Sequence, residues 1–513
     1  MAVAPQPPMQ SPDSRTAQGF GPASIESETA SERRWLIWLL LFAVAIRLAT
    51  LGAYPLMDNT EARYAEVARK MVDTGDWLTP QIHYGVPFWS KPPLSMWGTA
   101  VSYLVLGVNE FAARLPSLLA CVAAAWLTFA LAMRRRGAGV ALRAAVVLVT
   151  TPLFYISAGA VMTDPALFLG TTLSMVGFWQ AMTRPGRAGR IWGYAFFLGL
   201  AIGMLAKGPV GVVLTLIPVG LWTLWKGGIR DVWNRLPWIS GFILAAGLSV
   251  PWYVLEEART PGYLDYFIVG EHWKRYTESG WQGDMFGTAH ARPRGMIWLF
   301  ALAVTLPWSA AWIALLWIGR RARDPRPAAP DDGWDAYLWL WALTPAAFFT
   351  FAGNVLWTYV LPALPAFALL VAQAWTAAGE KRPRWLSMKA GALVLPVGLL
   401  LGVAFVLPRV APDHSQKTLV AEYLAERRSD AQRLVYFGEA PQSAEFYARG
   451  KVTTVTTAAD VLRLLDDGRR DFFVFKDSRQ NALPGVRERL TPIARHGRYE
   501  LLEGLPPRRE PSP

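Results

Sequence analysis

Long apolar runs limit what this chain can fold into more than any other feature of its sequence. Eleven of them occur between residues 35 and 407, and each is near the length of a helix that crosses about 30 Å of hydrocarbon. Because 53% of the residues are hydrophobic and only 17% are charged, a soluble fold would lack polar surface. The chain is therefore predicted to be a polytopic membrane protein. The runs lie at residues 35–53, 115–133, 138–156, 166–182, 191–206, 209–225, 237–255, 296–318, 335–352, 357–377 and 386–407.

The segments on either side of this region have a different composition. Residues 1–33 are rich in Pro, Ser and Ala, which predicts a disordered cytoplasmic tail. Residues 34–408 are predicted to form a mainly α membrane domain of about 11 to 13 transmembrane helices. Residues 409–513 alternate helical and strand patterns, which indicates a small α/β domain. Its predicted helices cover 417–428 and 458–467, and its predicted strand regions cover 433–438, 447–457, 471–475 and 498–502.

Clusters of Arg and Lys predict the orientation of the helices. They fall in every second loop, and short cytoplasmic loops are the ones that retain positive charge. The first loop and the C-terminal domain would then face the outside, provided that residues 94–107 lie against the outer surface without crossing the membrane. This orientation accounts for most of the net charge of +13, so no nucleic-acid partner is predicted. The clusters occupy residues 134–136, 184–190, 226–235, 320–326 and 381–384.

Two acidic residues in the first outer loop are candidates for catalysis. Asp58 and Glu61 are three residues apart where an amphipathic pattern begins, so they would share one face of a helix. The same spacing is typical of a capping box, which leaves a structural role open. Arg63 and Tyr64 follow directly and are candidate substrate-binding residues.

Cationic residues are sparse on the outer side, which draws attention to Lys91 and Lys207. Each ammonium group could simply extend to the membrane interface. If both converge with Arg63 and Arg275, they would form an anion site suited to a phosphate or pyrophosphate. Asp164 begins an apolar run at its outer end, where it could cap a helix or belong to the site.

Metal and disulfide chemistry have little support in the sequence. The single cysteine, Cys121, excludes an intrachain disulfide and any site built from several cysteines. His272 follows Glu271 and could hold a divalent metal with nearby acids, but no paired metal-ligand motif accompanies it. The prediction is that no cofactor is required, with a metal at His272 as the open alternative.

As an ordered set, several motifs resemble the membrane glycosyltransferases that use polyprenyl-phosphate sugars. This is glycosyltransferase family 39, the protein mannosyltransferase-like family, and the resemblance is closest to its bacterial lipid A aminoarabinose transferases. The motifs are Asp58 to Glu66, Gly75-Asp76-Trp77, Lys91-Pro92-Pro93-Leu94, Phe111 to Ser117, Ala206-Lys207-Gly208-Pro209, Glu271 to Tyr276 and Tyr359 to Pro365.

The resemblance implies a GT-C fold with an outward-facing cavity under the first loop and inversion at the transferred sugar carbon. The family keeps an acidic pair in this loop. Glu61 matches its Glu, but Thr60 stands where the Asp is usual, so Asp58 would have to replace it. An acid that can join His272 in holding zinc is replaced by Ser90.

From this resemblance we expect a glycosyltransferase of the bacterial inner membrane, with its N-terminus cytoplasmic and its active site periplasmic. Asp58 or Glu61 would activate the acceptor and Asp164 would orient it. The expected acceptor is lipid A, with a protein or polysaccharide as the alternative. The expected site residues that bind the polyprenyl-phosphate donor or other substrate are Arg63, Tyr64, Lys91, Lys207, Arg275 and Tyr359.

Two other classes of protein stay open at this point. A secondary transporter would need ionisable residues near the middle of the membrane and related halves, whereas here these residues cluster at the outer ends of the runs. A non-catalytic homologue is the second alternative, because Thr60 and Ser90 depart from the family pattern.

Overall fold

The computed structural model describes residues 30–321, 332–379, 382–383, 386–476 and 486–504. Most of the predicted tail at residues 1–33 lies outside these ranges. Its last residues, from Ala30, already belong to the first helix. Parts of the basic clusters at 320–326 and 381–384 also lie outside the described residues.

Each of the eleven apolar runs is helical, as predicted. Among the described residues, two of the runs include a short 3₁₀ or π-helical segment, at Trp357–Ala363 and Gly402–Val406. The α-helices are α1 (Ala30–Thr50), α2 (Thr60–Thr74), α3 (Leu94–Leu106), α4 (Glu110–Val149), α5 (Pro152–Ser157), α6 (Asp164–Thr183), α7 (Gly186–Lys207), α8 (Pro209–Lys226), α9 (Ile229–Arg235), α10 (Trp238–Arg259), α11 (Arg275–Thr277), α12 (Met296–Val304), α13 (Trp308–Arg321), α14 (Trp334–Phe349), α15 (Leu364–Ala378), α16 (Met388–Leu401), α17 (Leu407–His414), α18 (Lys417–Glu426), α19 (Gln442–Tyr447) and α20 (Ala458–Asp466).

Fewer helices than expected meet the length and hydropathy of a membrane span. In the described part of the chain six do, and α12 with α13, which bend by 93° at their junction, would make a seventh. The expected count of eleven to thirteen is higher because two runs join in the 40-residue α4, which is broken at Gly137, and because others, such as the 16-residue α14, are short. The protein is a multi-pass membrane protein.

Helices α6 and α7 pack against each other through small residues. A Cβ atom on Gly170 would lie 2.8 Å from the carbonyl oxygen of Gly199, and one on Gly199 would lie 2.5 Å from the carbonyl oxygen of Gly170. The Ser174 hydroxyl is also in this contact and donates to the carbonyl of Phe196 at 2.8 Å. Small residues allow such close backbone approach in membrane helices. The packing brings the N-terminus of α6 beside the C-terminus of α7.

The segment between α1 and α4, residues 51–109, covers this end of the helices and is called the first outer segment after its predicted side of the membrane. It contains α2, the short antiparallel pair β1 (Gln81–His83) and β2 (Val86–Pro87), and α3. The predicted helix at 94–107 is confirmed as α3, which packs against α2 and α4. The helix predicted from Asp58 begins instead at Thr60, so Asp58 precedes it and does not share a helical face with Glu61.

The described residues of the C-terminal module, 417–476 and 486–504, form a five-stranded sheet with helices. The strands are β3 (Leu434–Phe437), β4 (Val452–Val455), β5 (Phe472–Lys476), β6 (Leu490–His496) and β7 (Tyr499–Gly504). Their order is β4-β3-β5-β7-β6; β3 pairs in parallel with β4 and β5, whereas β7 is antiparallel to β5 and β6. The predicted strand region 447–457 is partly wrong, since α19 ends at Tyr447 and only β4 is extended. Strand β6 was not predicted.

The close contact between α6 and α7 predicts that one added methyl group at Gly199 lowers the stability of the protein. Replacing Gly199 by Ala should destabilise the protein by about 1–3 kcal/mol, because the new Cβ would overlap the backbone of α6. The measurement is the apparent melting temperature of the purified protein in detergent. Gly220→Ala in α8 is the matched control, since nothing lies within 4 Å of its Cβ position. Equal melting temperatures for the two variants would contradict the proposed packing.

Candidate active site

The antiparallel packing of α6 and α7 places Asp164 against Lys207. Asp164 is the first residue of α6 and Lys207 the last of α7, and Nζ lies 2.7 Å from Oδ1. The ammonium group also lies 4.8 Å from the centre of the Tyr359 ring, within the range of a cation–π contact. Gly208 follows with a φ of 81°, and a Cβ there would meet the Phe267 ring at 2.8 Å. Glycine at this position therefore allows the cation to lie close to the neighbouring loop.

A second group of charges surrounds Glu271. The Nζ atom of Lys91 lies 2.7 Å from its Oε2, and Nη1 of Arg275 lies 3.1 Å from its Oε1. Arg275 also contacts Asp284 at 3.0 Å. Burial tends to raise the pKa of Glu271, but the charges of Lys91 and Arg275 outweigh it and hold the pKa below its usual value. Glu271 is thus an ionised counterion for two cations.

These charges line one cavity of about 760 Å³. Four cationic and three acidic side chains contribute to its wall, so with neutral histidines the wall carries a net positive charge. The charged lining residues are Arg63, Lys91, Lys207, Arg275, Asp164, Glu271 and Asp284. The remaining wall is largely apolar and includes Leu167, Val210, Val213, Leu214, Ile268, Phe348 and Phe349. A cavity with these two regions can accommodate an anion joined to an apolar chain.

The predicted substrate-binding residues lie together in this cavity. Tyr64 is buried, which raises the pKa of its hydroxyl, and its ring packs edge-on against Phe88 at 5.8 Å. Among the described residues, the guanidinium of Arg63 makes no hydrogen bond or ion pair; Lys91 and Lys207, by contrast, each contact a carboxylate. Tyr359 reaches the cavity from the 3₁₀ segment before α15.

His272 lines the cavity, but its surroundings do not suit a metal ion. Its Nδ1 lies 2.7 Å from the carbonyl oxygen of Phe267, and its Nε2 lies 3.1 Å from that of Lys207. Both ring nitrogens therefore face backbone oxygens, so neither is open to a metal. Burial lowers the pKa of the imidazole. Over the ranges that the structure describes, no three His, Cys, Asp or Glu side chains form a group that could hold a metal.

The two acids predicted for catalysis lie elsewhere. Neither Asp58 nor Glu61 lines the cavity. Asp58 accepts hydrogen bonds from the backbone nitrogen of Ser443 at 2.9 Å and from its hydroxyl at 2.5 Å. Both Glu61 oxygens accept from the Arg114 guanidinium, at 2.8 and 2.9 Å. These contacts hold the first outer segment in place, and the catalytic role of the two carboxylates stays a prediction.

Two acidic members of the cavity were not among the predicted site residues. Glu271 stands beside His272 in the motif from Glu271 to Tyr276, so its position next to a candidate residue was the available signal. Asp284 lies in a polar loop whose sequence gives no periodic pattern. Only its contact with Arg275 identifies it as part of the site.

Comparisons with known proteins point to one family. A family model described as dolichyl-phosphate-mannose-protein mannosyltransferase matches residues 37–267. The chain is 30% identical to undecaprenyl phosphate-alpha-4-amino-4-deoxy-L-arabinose arabinosyl transferase 1 of Pseudomonas fluorescens (strain Pf0-1), over 72% of this chain and 61% of the relative. It is 32% identical to the corresponding transferase of Pseudomonas aeruginosa (strain LESB58), over 67% of this chain and 60% of the relative. The chain thus spans about three fifths of the length of these relatives.

A solved structure is similar over nearly the whole chain. The structure of ArnT from Cupriavidus metallidurans bound to undecaprenyl phosphate gives a TM-score of 0.72 at 21% identity, covering 94% of this chain and 100% of that chain. This similarity confirms the predicted fold class, a mainly α GT-C membrane fold with a small C-terminal α/β region. The motifs, the family model and the relatives agree, and all of them are similar to the GT-C polyprenyl-phosphate-sugar glycosyltransferases.

Proposed function

We propose that this protein is an inverting glycosyltransferase that moves a sugar from a polyprenyl-phosphate donor to an envelope acceptor. The observation that carries the proposal is the convergence of Lys91, Lys207, Arg275 and Arg63 on one cavity with an apolar region beside them. A phosphodiester attached to a prenyl chain has the matching chemistry, one negative charge on a long apolar group. The net positive wall needs one such charge to become neutral.

The ion pairs supply a route for binding the donor phosphate. Lys207 and Lys91 each rest on a carboxylate at 2.7 Å, which limits the cost of burying them before the substrate arrives. The donor phosphate would take up hydrogen bonds from both ammonium groups, with Arg275 and Arg63 adding guanidinium contacts. As the sugar leaves, the phosphate gains a second negative charge, and these four cations stabilise it most strongly at that stage.

The transfer itself exchanges one bond for another at the sugar carbon. The acceptor oxygen forms a bond to that carbon from the face opposite the phosphate, and the bond from carbon to phosphate oxygen breaks, releasing polyprenyl phosphate. With a hydroxyl acceptor, the proton passes to a carboxylate acting as general base. Asp164 is the candidate for this role, because it lines the cavity and loses its cation partner when Lys207 turns to the phosphate.

The proposed acceptor is lipid A, which the resemblance of the motifs to the bacterial lipid A aminoarabinose transferases implies. A protein or polysaccharide acceptor is the alternative, in line with the description of the matching family model. We place the protein in the bacterial inner membrane with its N-terminus in the cytoplasm, since the basic clusters occupy alternate loops. The cavity and the C-terminal module would then face the periplasm, where the donor enters from the membrane.

The proposed chemistry routes no step through a metal. Phosphate charge is met by four cationic side chains, and the two ring nitrogens of His272 contact carbonyl oxygens. Each step proposed above uses side chains of this chain.

Mass spectrometry of lipid A from cells with and without the gene tests the function directly. Loss of a sugar-sized mass in the deletion, restored by the wild-type gene but not by Lys207→Met, is the expected result. If lipid A is unchanged while a protein or polysaccharide loses a sugar, the acceptor assignment is wrong. If no glycan changes although the protein is expressed, the non-catalytic alternative is favoured.

Removing one phosphate-binding cation should slow transfer. Lys91→Met should lower kcat/KM roughly 10²–10³-fold, because a neutral side chain cannot stabilise the departing phosphate. The assay is transfer from undecaprenyl-phosphate aminoarabinose to lipid A by the protein in lipid nanodiscs. Lys274→Met is the control, since Lys274 is exposed and lies outside the cavity wall. A similar rate for both variants would remove Lys91 from the phosphate site.

If Asp164 is the general base, substitutions of Asp164 and Glu61 should have different effects on kcat and on the melting temperature. Asp164→Asn should lower kcat by roughly 10²–10⁴-fold, the usual contribution of a positioned base. Glu61→Gln should instead lower the melting temperature, because it weakens the pair with buried Arg114, while kcat per folded molecule stays within about tenfold of wild type. The reverse pattern would return the catalytic role to Glu61.

A further inference from the structure

A second histidine, His290, lines the cavity of about 760 Å³, which we call the donor cavity. The proposed transfer gives it no role. The residue is exposed, and among the described residues its imidazole makes no hydrogen bond or ion pair. His272 differs, because both of its ring nitrogens lie against carbonyl oxygens. His290 is therefore a polar ring that a molecule in the donor cavity can contact.

The backbone holds His290 in a conformation that glycine would adopt more easily. Its φ is 51°, in the left-handed region, which is uncommon for residues other than glycine. The backbone nitrogen of Val355 donates to the carbonyl oxygen of His290 at 3.3 Å. The next residue, Ala291, pairs with Asn354 in an antiparallel bridge. Strained positions that the surrounding structure holds in this way are concentrated at functional sites.

The residues around His290 alternate between the cavity and the protein interior. Ala289 is 6% exposed, whereas Thr288 and His290 are exposed and both line the donor cavity. Within the part of the chain that the structure describes, the hydroxyl of Thr288 has no hydrogen-bond partner. This stretch of wall therefore carries a hydroxyl and an imidazole that are both open to a ligand.

This stretch is tied to the part of the wall proposed to bind the donor phosphate. Asn354, the bridge partner of Ala291, donates through its Nδ2 to the carbonyl oxygen of Arg275 at 2.6 Å. The side chain of Arg275 is one of the four cations of the proposed phosphate site. A group bonded directly to the phosphate would thus meet His290 and Thr288 next.

The charge state of His290 suits an uncharged ligand. Burial lowers the pKa of the imidazole, and so do the charges of Arg275 and Arg292, against the opposite effect of Asp284. The ring is therefore neutral at pH 7, with one N–H donor and one acceptor nitrogen. A hydroxyl group likewise donates one hydrogen bond and accepts others. The neutral ring and the Thr288 hydroxyl match the hydroxyl groups of a sugar.

We propose that His290 and Thr288 bind the hydroxyl groups of the sugar that the donor carries. His290 would donate a hydrogen bond to one sugar oxygen and accept one from another, and Thr288 would bind a neighbouring hydroxyl. A site built to bind hydroxyl groups rejects sugars that lack them, because its own polar groups are then left without partners. The two residues thus determine which sugar is transferred. This inference rests on the proposed function, because it assigns the sugar contacts of that same donor.

His290→Gly tests the inference, because glycine removes the imidazole and suits the observed φ. We expect the Kd for undecaprenyl-phosphate aminoarabinose to rise tenfold or more. The Kd for undecaprenyl phosphate, which has no sugar, should stay within about twofold, and the melting temperature should stay near wild type. Thr288→Val is a second variant with the same expected pattern. The measurement is isothermal titration calorimetry on the full chain in nanodiscs.

Arg449→Gly is the matched control for the backbone. Arg449 also has a positive φ, 53°, and it is exposed and lies outside the donor cavity wall. Its replacement should leave the affinities for both lipids unchanged. A change as large as that of His290→Gly would show that the loss does not come from the imidazole, and would overturn the inference.

The two lipids separate this inference from the proposed function. An equal loss of affinity for both lipids in His290→Gly would assign His290 to the phosphate site and overturn the sugar contacts. Unchanged affinity for the sugar-bearing lipid in both His290→Gly and Thr288→Val would also overturn them. In these two cases wild type still binds both lipids, so the proposed function stands. Wild type that binds neither lipid overturns the donor assignment and this inference together.

Discussion

The free energy of burying charge governs the layout of this protein's cavity. An isolated ion removed from water costs several kcal/mol, so a site for an anion cannot consist of cations alone. Lys207 rests on Asp164 and Lys91 on Glu271, both at 2.7 Å. The wall nevertheless keeps one positive charge in excess. The same ion pairs thus stabilise the empty cavity and supply the cations that attract a phosphate. When the donor binds, each lysine exchanges its carboxylate partner for the phosphate.

The same constraint explains why Asp58 and Glu61 in the first outer segment each lie against a polar partner. Glu61 is tied to Arg114, whose guanidinium also donates to the carbonyl oxygens of Leu51, Tyr54 and Pro55. One buried arginine therefore connects the end of α1 to the start of α2. Asp58 connects the first outer segment to the C-terminal module, because it accepts hydrogen bonds from the start of α19. Neither acid lines the donor cavity.

Some elements could be predicted from the sequence because their signal is local. Apolar runs identify the membrane helices, since a helix in lipid must be apolar along its length. The strands β3 and β5 are similarly continuous hydrophobic stretches, buried on both faces of a parallel pairing. Strand β6 was missed because Pro492 interrupts its pattern, and the structure places β6 at the sheet edge, where proline is tolerated. Helix α19 was missed because six residues are too few for a periodic pattern.

By itself the sequence determined the membrane class, the GT-C family resemblance and most of the residues that meet in the donor cavity, because these depend on composition and on motifs read along the chain. It could not decide which acids face the cavity. Asp58 and Glu61 share a motif with Arg63, yet only Arg63 reaches the cavity wall. Asp58 and Glu61 stay away from the cavity because they bind partners that are distant in the chain, Ser443 and Arg114. Whether a carboxylate is a counterion, a base or a structural link depends on its three-dimensional neighbours, which only the tertiary structure brings within hydrogen-bond distance.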